Sequence, residues 1–96
     1  MNMNMLMQQA QKMQKDINKT TEEIAKQKFS GKQDLVEIII TGDKKVVDVK
    51  INEEITPDDR EILQDMILLA FNDALAQVDK AMDEKLGKYK GIPGLF

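Results

Sequence analysis

Leu35-Val36-Glu37-Ile38-Ile39-Ile40-Thr41-Gly42-Asp43-Lys44-Lys45-Val46-Val47-Asp48-Val49-Lys50-Ile51 reads as two β-strands joined by a turn. Its first run is dense in β-branched residues, whose stiff side chains suit a pleated, extended backbone. Val36, Ile38 and Ile40 share one face and Leu35, Glu37, Ile39 and Thr41 the other, so the strand is apolar on most of both faces. Gly42-Asp43-Lys44 supplies turn chemistry. Val46 to Ile51 then alternates, sending Val47, Val49 and Ile51 inward and Val46, Asp48 and Lys50 outward. The stretch is an antiparallel hairpin, and residues 27–52 as a whole read as a small sheet, since the chain around Gln27–Ser30 admits a further short strand.

Upstream, Met3, Leu6, Ala10, Met13, Ile17, Thr20 and Ile24 recur at alternating spacings of three and four. That is a narrow coiled-coil seam, with Gln, Lys, Asp, Asn and Glu covering the rest of the cylinder. Such a helix gains little by standing alone and needs a partner. We assign residues 1–26 to it, the regular part running from Asn4 to Ala25, with Phe29, Ser30 and Gly31 marking its end.

Downstream, Thr56-Pro57-Asp58-Asp59 is a helix start: Thr56 as cap, Pro57 in the first turn, and two aspartates at the positive end of the dipole. No breaker follows until Gly87, so residues 56–86 form a second helix, about 45 Å long at ~1.5 Å per residue. Met66-Ile67-Leu68-Leu69-Ala70-Phe71 is apolar all round, which places it against both a sheet and another subunit. Further along, Leu75, Val78, Met82 and Leu86 narrow to a seam that can mate with that of the first helix. Residues 87–96, with Gly87, Gly91, Pro93 and Gly94, read as a flexible tail. The fold class is α+β in a single domain, 1–96.

The composition excludes much chemistry. There is no cysteine and no histidine, so disulfides, thiolate metal sites and the usual zinc sites are out. No glycine-rich phosphate loop or Ser-Lys arrangement is present, and neither an enzymatic step nor a cofactor or small-molecule substrate is expected. Glu53, Glu54, Asp58 and Asp59 lack the alternating oxygen ligands and central glycine of a calcium loop, and helix capping accounts for them better than a metal. Met1, Met3, Met5, Met7 and Met13 suit seam packing better than soft-metal binding. The opening residues read as neither signal peptide nor membrane span, and a cytoplasmic protein is expected.

Charge is uneven. The net charge is −3, yet residues 1–33 carry six lysines against three acids, a local +3. Acids gather at Glu53, Glu54, Asp58, Asp59, Glu61 and Asp65, and lysines return at Lys80, Lys85, Lys88 and Lys90. Lys12, Lys15, Lys19 and Lys26 lie along one side of the first helix at a pitch that can meet successive phosphates; a merely solvated face is the competing reading. Phe29, Phe71, Tyr89 and Phe96 are too scattered for single-strand stacking, and a lone Arg60 offers no set of guanine readers. Asn72 and Asp73 either form a hydrogen-bonding device that fixes partner register or face water.

Met7-Gln8-Gln9-Ala10-Gln11-Lys12-Met13-Gln14, Gly42-Asp43-Lys44-Lys45-Val46-Val47-Asp48-Val49-Lys50-Ile51, Leu69-Ala70-Phe71-Asn72-Asp73-Ala74 and Gly91-Ile92-Pro93-Gly94-Leu95-Phe96 together resemble the YbaB/EbfC family of bacterial nucleoid-associated proteins over nearly the whole chain. The resemblance implies an intertwined homodimer whose paired helical ends project like tweezers and hold duplex DNA. By position it implies DNA contacts at Lys12, Lys15, Lys19, Lys80, Lys85 and Lys88. A dimer interface at Met66, Leu68, Leu69, Phe71 and Asn72, and a role in nucleoid organisation and gene regulation, go with it. The rival expectation, from another class, is a protein-interaction or scaffold module that uses its seams without touching DNA.

Overall fold

The computed structural model describes residues 2–52 and 54–89. Helix α1 spans Met3–Lys26 and is capped by the Asn2 side chain, whose Oδ1 accepts from the Asn4 N–H at 3.0 Å. Strands β1 (Lys28–Gln33), β2 (Val36–Thr41) and β3 (Val46–Ile51) form an antiparallel sheet in the order β1-β2-β3. A 3-10 turn, Pro57–Asp59, leads into helix α2 (Arg60–Leu86), and a second one, Gly87–Tyr89, follows it. The start of α2 is tied by Asp59, whose carboxylate accepts from both the N–H and the hydroxyl of Thr56. Of the tail expected at 87–96, the residues from Lys90 onward lie outside the described residues.

Two hairpin turns carry the positive-φ residues that tight reversal needs, Asp34 at 47° and Lys44 at 66°, and both Asp and Lys here sit in turns that exact a small steric cost. Leu35, read above as strand, belongs to the first of these turns. β1 is also longer than the short Gln27–Ser30 segment expected, and Gly31 lies in its interior. The reason is helix–sheet approach: a Cβ at Gly31 would stand 1.9 Å from the Ala70 carbonyl oxygen. Opposite it, Ala70 and Ala74 are fully buried, so a glycine and two alanines let α2 lie directly on β1.

The main core is Ile24, Phe29, Val36, Ile38, Ile40, Ala70, Ala74 and Val78, with Leu63, Met66, Phe71 and Leu75 packed at its margin. α2 crosses β1 and β2 but does not reach β3. The inward burial expected of Val47, Val49 and Ile51 is therefore corrected: they are 51%, 50% and 44% exposed. Val49 and Ile51 do lie opposite Ile38 and Val36, on the core side of the sheet, yet none of the described residues covers them. A register shift between Ile39 and Ile40 brings Val46 opposite Ile40, overriding the outward position that strict alternation assigned to Val46.

Beyond the sheet the two seams meet. Ile17, Leu86 and Tyr89 form a second apolar cluster with Met13 and Met82 beside them, so α1 and the end of α2 run together as one projecting prong. Its consequence is an elongated molecule, 69 × 21 × 15 Å with a radius of gyration of 19.1 Å, against about 13 Å for a compact chain of this length.

Candidate nucleic-acid interface

Lys12, Lys15 and Lys19 are exposed on α1, and Lys80, Lys85 and Lys88 are exposed on α2 and the turn after it. The Met13–Ile17 to Leu86–Tyr89 packing lays the stretch of α1 that carries Lys12, Lys15 and Lys19 along the stretch that carries Lys85 and Lys88. Lys80 sits nearer the sheet, on an open notch of about 550 Å³ that it lines with Gln27, Lys28 and Glu84. Over residues 3–19 and 80–89 the six lysines face three acids, Asp16, Asp83 and Glu84, so the prong is cationic while the start of α2 is acidic.

The six ammonium groups are not equivalent. Lys12, Lys15 and Lys85 have no carboxylate partner among the described residues. Lys80 lies 4.0 Å from Glu84, both well exposed, a pairing that phosphate can displace at little cost. Lys88 is 3.5 Å from Asp16 and 5.0 Å from the centre of the Tyr89 ring. The Tyr89 hydroxyl donates to the Asp16 carboxylate; that bond first, then Lys88 and Lys19, holds the Asp16 carboxyl below its ordinary value. Tyr89 is pushed up by the same bond and by burial, and Lys88 is raised by Tyr89 and Asp16 facing it. Neither Asp16 nor Tyr89 was singled out from sequence, because the contact spans 73 positions and no local pattern announces it.

The residues expected at a dimer interface divide in a way that burial explains. Met66 and Phe71 pack at the margin of the core, whereas Leu68 and Leu69 are 61% and 49% exposed and Asn72 is exposed beside them. Asp73 does more than face water. Its carboxylate accepts from the Lys32 N–H at 3.2 Å, and Gln77 donates to the Ser30 carbonyl at 2.7 Å. These two α2 side chains engage the Lys32 amide and the Ser30 carbonyl on the outer edge of β1, while β3 at the other edge of the sheet is exposed throughout. A cavity of about 320 Å³ between Leu35, Ile55, Ile62, Leu63 and Met66 opens near the start of α2.

Among the described residues no group of three or more acidic side chains is placed to hold a metal ion, and no helix is long and apolar enough to cross a membrane. The profile of the YbaB/EbfC DNA-binding family matches residues 1–92. A nucleoid-associated protein of Lactococcus lactis subsp. cremoris (strain MG1363) is 48% identical over 97 residues, covering 97% of this chain and 98% of that one. One from Ligilactobacillus salivarius (strain UCC118) is 46% identical over 99 residues, covering 99% and 95%. Nucleoid-associated protein str1598 of Streptococcus thermophilus (strain CNRZ 1066) is 48% identical over 94 residues, covering 95% of each. With the helix, three-stranded sheet and long helix in the same chain that the profile spans, this protein belongs to the YbaB/EbfC DNA-binding family.

Proposed function

We propose that the protein binds duplex DNA as a homodimer, mainly through phosphate contacts, and acts in nucleoid organisation and gene regulation in the cytoplasm, with no catalytic step. The observation that carries this reading is the gathering of lysines on one prong of an otherwise acidic molecule, with those of Lys12, Lys15 and Lys85 free to exchange water and counterions for phosphate. Lys19 and Lys80 complete the contact set; Lys88 belonged to the expected set but is engaged by Asp16 and Tyr89. Base readout is minor, since the only arginine, Arg60, lies at the acidic start of α2.

The homodimer is supported by apolar residues that the described part of a single chain leaves open. Val46, Val47, Val49 and Ile51 on β3 and Ile62, Ile67, Leu68 and Leu69 on α2 are each more than a third exposed, more than a small monomer leaves in contact with water. A second copy covering them would leave both prongs free.

Anisotropy of a fluorescein-labelled duplex of random sequence, read at low and moderate salt with the mass checked in the same buffer, tests the proposal. Binding by a dimer that weakens steeply with salt is the expected result. Absence of binding at low salt would overturn it and favour the protein-interaction reading, for which the exposed Met3, Met5, Leu6 and Met7 supply an apolar, salt-insensitive contact.

A further inference from the structure

Among the described residues, the outermost tertiary support of helix α1 is a single place. Ile17 and Met13 pack on Met82, Leu86 and Tyr89, and beyond them Met3, Met5, Leu6 and Met7 are all exposed. At this last point of contact the chain places a polar cluster. The buried Tyr89 ring presents its hydroxyl to the Asp16 carboxylate, while the Lys88 ammonium bridges the same carboxylate at 3.5 Å and stands over the ring at 5.0 Å. Charge-assisted hydrogen bonds are shorter and stronger than neutral ones, and here the donor ring is fixed by packing, so little side-chain freedom is lost in forming it. On α1, Lys12 lies one turn outward of Asp16 and Lys15 directly precedes it, and Lys85 lies about one turn before Tyr89. Their mutual placement therefore depends on this cluster.

We propose that Asp16 and Tyr89 are positioning residues for nucleic-acid binding, a clasp that holds the α1 arm against the end of α2, and that Lys88 serves the clasp instead of contacting phosphate. The proposal rests on the duplex-binding reading above. Withdrawing Lys88 to a phosphate would break the ion pair at Asp16 and leave its carboxylate facing the polyanion, which opposes binding. Lys85, free of any such partner among the described residues, is the ammonium on this part of α2 that meets the backbone.

The slope of log K against log salt separates the two roles, because it counts phosphates neutralised, at about 0.9 each for duplex DNA. Full-length Tyr89→Phe and Asp16→Ala are expected to bind the labelled random duplex about three- to tenfold more weakly with an unchanged slope. The double variant should be no weaker than either single one. Asp16→Asn, which keeps an acceptor oxygen for the Tyr89 hydroxyl, should recover part of the loss. Lys88→Gln is expected to keep the slope, whereas Lys85→Gln lowers it by about 0.9. A Lys88→Gln slope that drops as Lys85→Gln does, or a Tyr89→Phe affinity equal to that of the unmutated protein, overturns the proposal.

Hydrogen exchange of the free protein judges the clasp apart from DNA. Amides of α1 around residues 13–20 should exchange about tenfold faster in Tyr89→Phe, with β2 amides unchanged. If the unmutated protein binds no duplex, the nucleic-acid reading fails and the positioning role with it. Faster exchange then still establishes the clasp, and unchanged exchange removes it.

Discussion

A methyl group added at Gly31 would stand 1.9 Å from the Ala70 carbonyl oxygen and 2.6 Å from the Ala74 amide nitrogen, so Gly31→Ala has to push α2 off the sheet. Overpacking of that kind, against backbone that cannot rotate away, is expected to cost about 3 kcal/mol or more, read as a fall in the urea midpoint. Nothing in the neighbouring sequence announces this, since a glycine after a helix reads first as a stop signal. Asp16 carries a second expectation. Its carboxyl is held below the ordinary value of 3.8, chiefly by Tyr89, so the folded state binds the proton less readily than the unfolded one. The resulting stability is complete above that ordinary value and is lost as pH falls through the lower, folded one. Thermal melts of the unmutated protein and Asp16→Asn should therefore differ most at neutral pH and converge in acid; a gap that persists or widens in acid would contradict the assignment.

Strand β3 and the first half of α2 show where hydrophobic pattern and burial part company. Alternation in Val46–Ile51 was enough to place a strand, and the unbroken run Met66–Phe71 led to an expectation of more than one covering surface, of which the chain itself supplies the sheet. In the single chain α2 covers β1 and β2 only, and β3 is exposed throughout. Under the proposed homodimer a partner would answer the pattern, and no intrachain periodicity can identify one. Leu68→Asp tests this at the most exposed position of the α2 face, at 61%. Because the side chain is outside the protomer's own core, the protomer should stay folded while the dimer mass falls to that of one chain. A folded Leu68→Asp protein of unchanged mass would move the interface elsewhere.

The molecule as a whole separates its charge, with a cationic prong and an acidic start of α2, and a net −3 that conceals both. Binding is therefore expected to depend on which lysines are removed and not on net charge. Replacing Lys12, Lys15 and Lys19 together by Gln should lower the salt slope by about 2.7 per bound arm set, uniformly across duplex sequences. Loss confined to one sequence would indicate base readout instead. The elongated shape, 69 Å along its longest axis, gives small-angle scattering of the monomeric Leu68→Asp protomer a direct check on the prong, since a single chain whose α1 folded back would approach the compact radius of about 13 Å.

Element order, the hairpin, the helix start at Thr56 and the two mating seams were all readable from sequence, because each rests on local propensity and a period of two or 3.6 residues. The family likeness was readable for the same reason, as runs of residues in order. Packing alone settled the rest. Gly31 against Ala70, the bulge that turns Val46 toward Ile40, the hydrogen bonds of Asp73 and Gln77 at the β1 edge, and the Asp16–Tyr89–Lys88 cluster each join residues distant in the chain or depend on a register. They exist only once helices and strands have chosen their neighbours, and that choice follows from shape and burial across the whole fold.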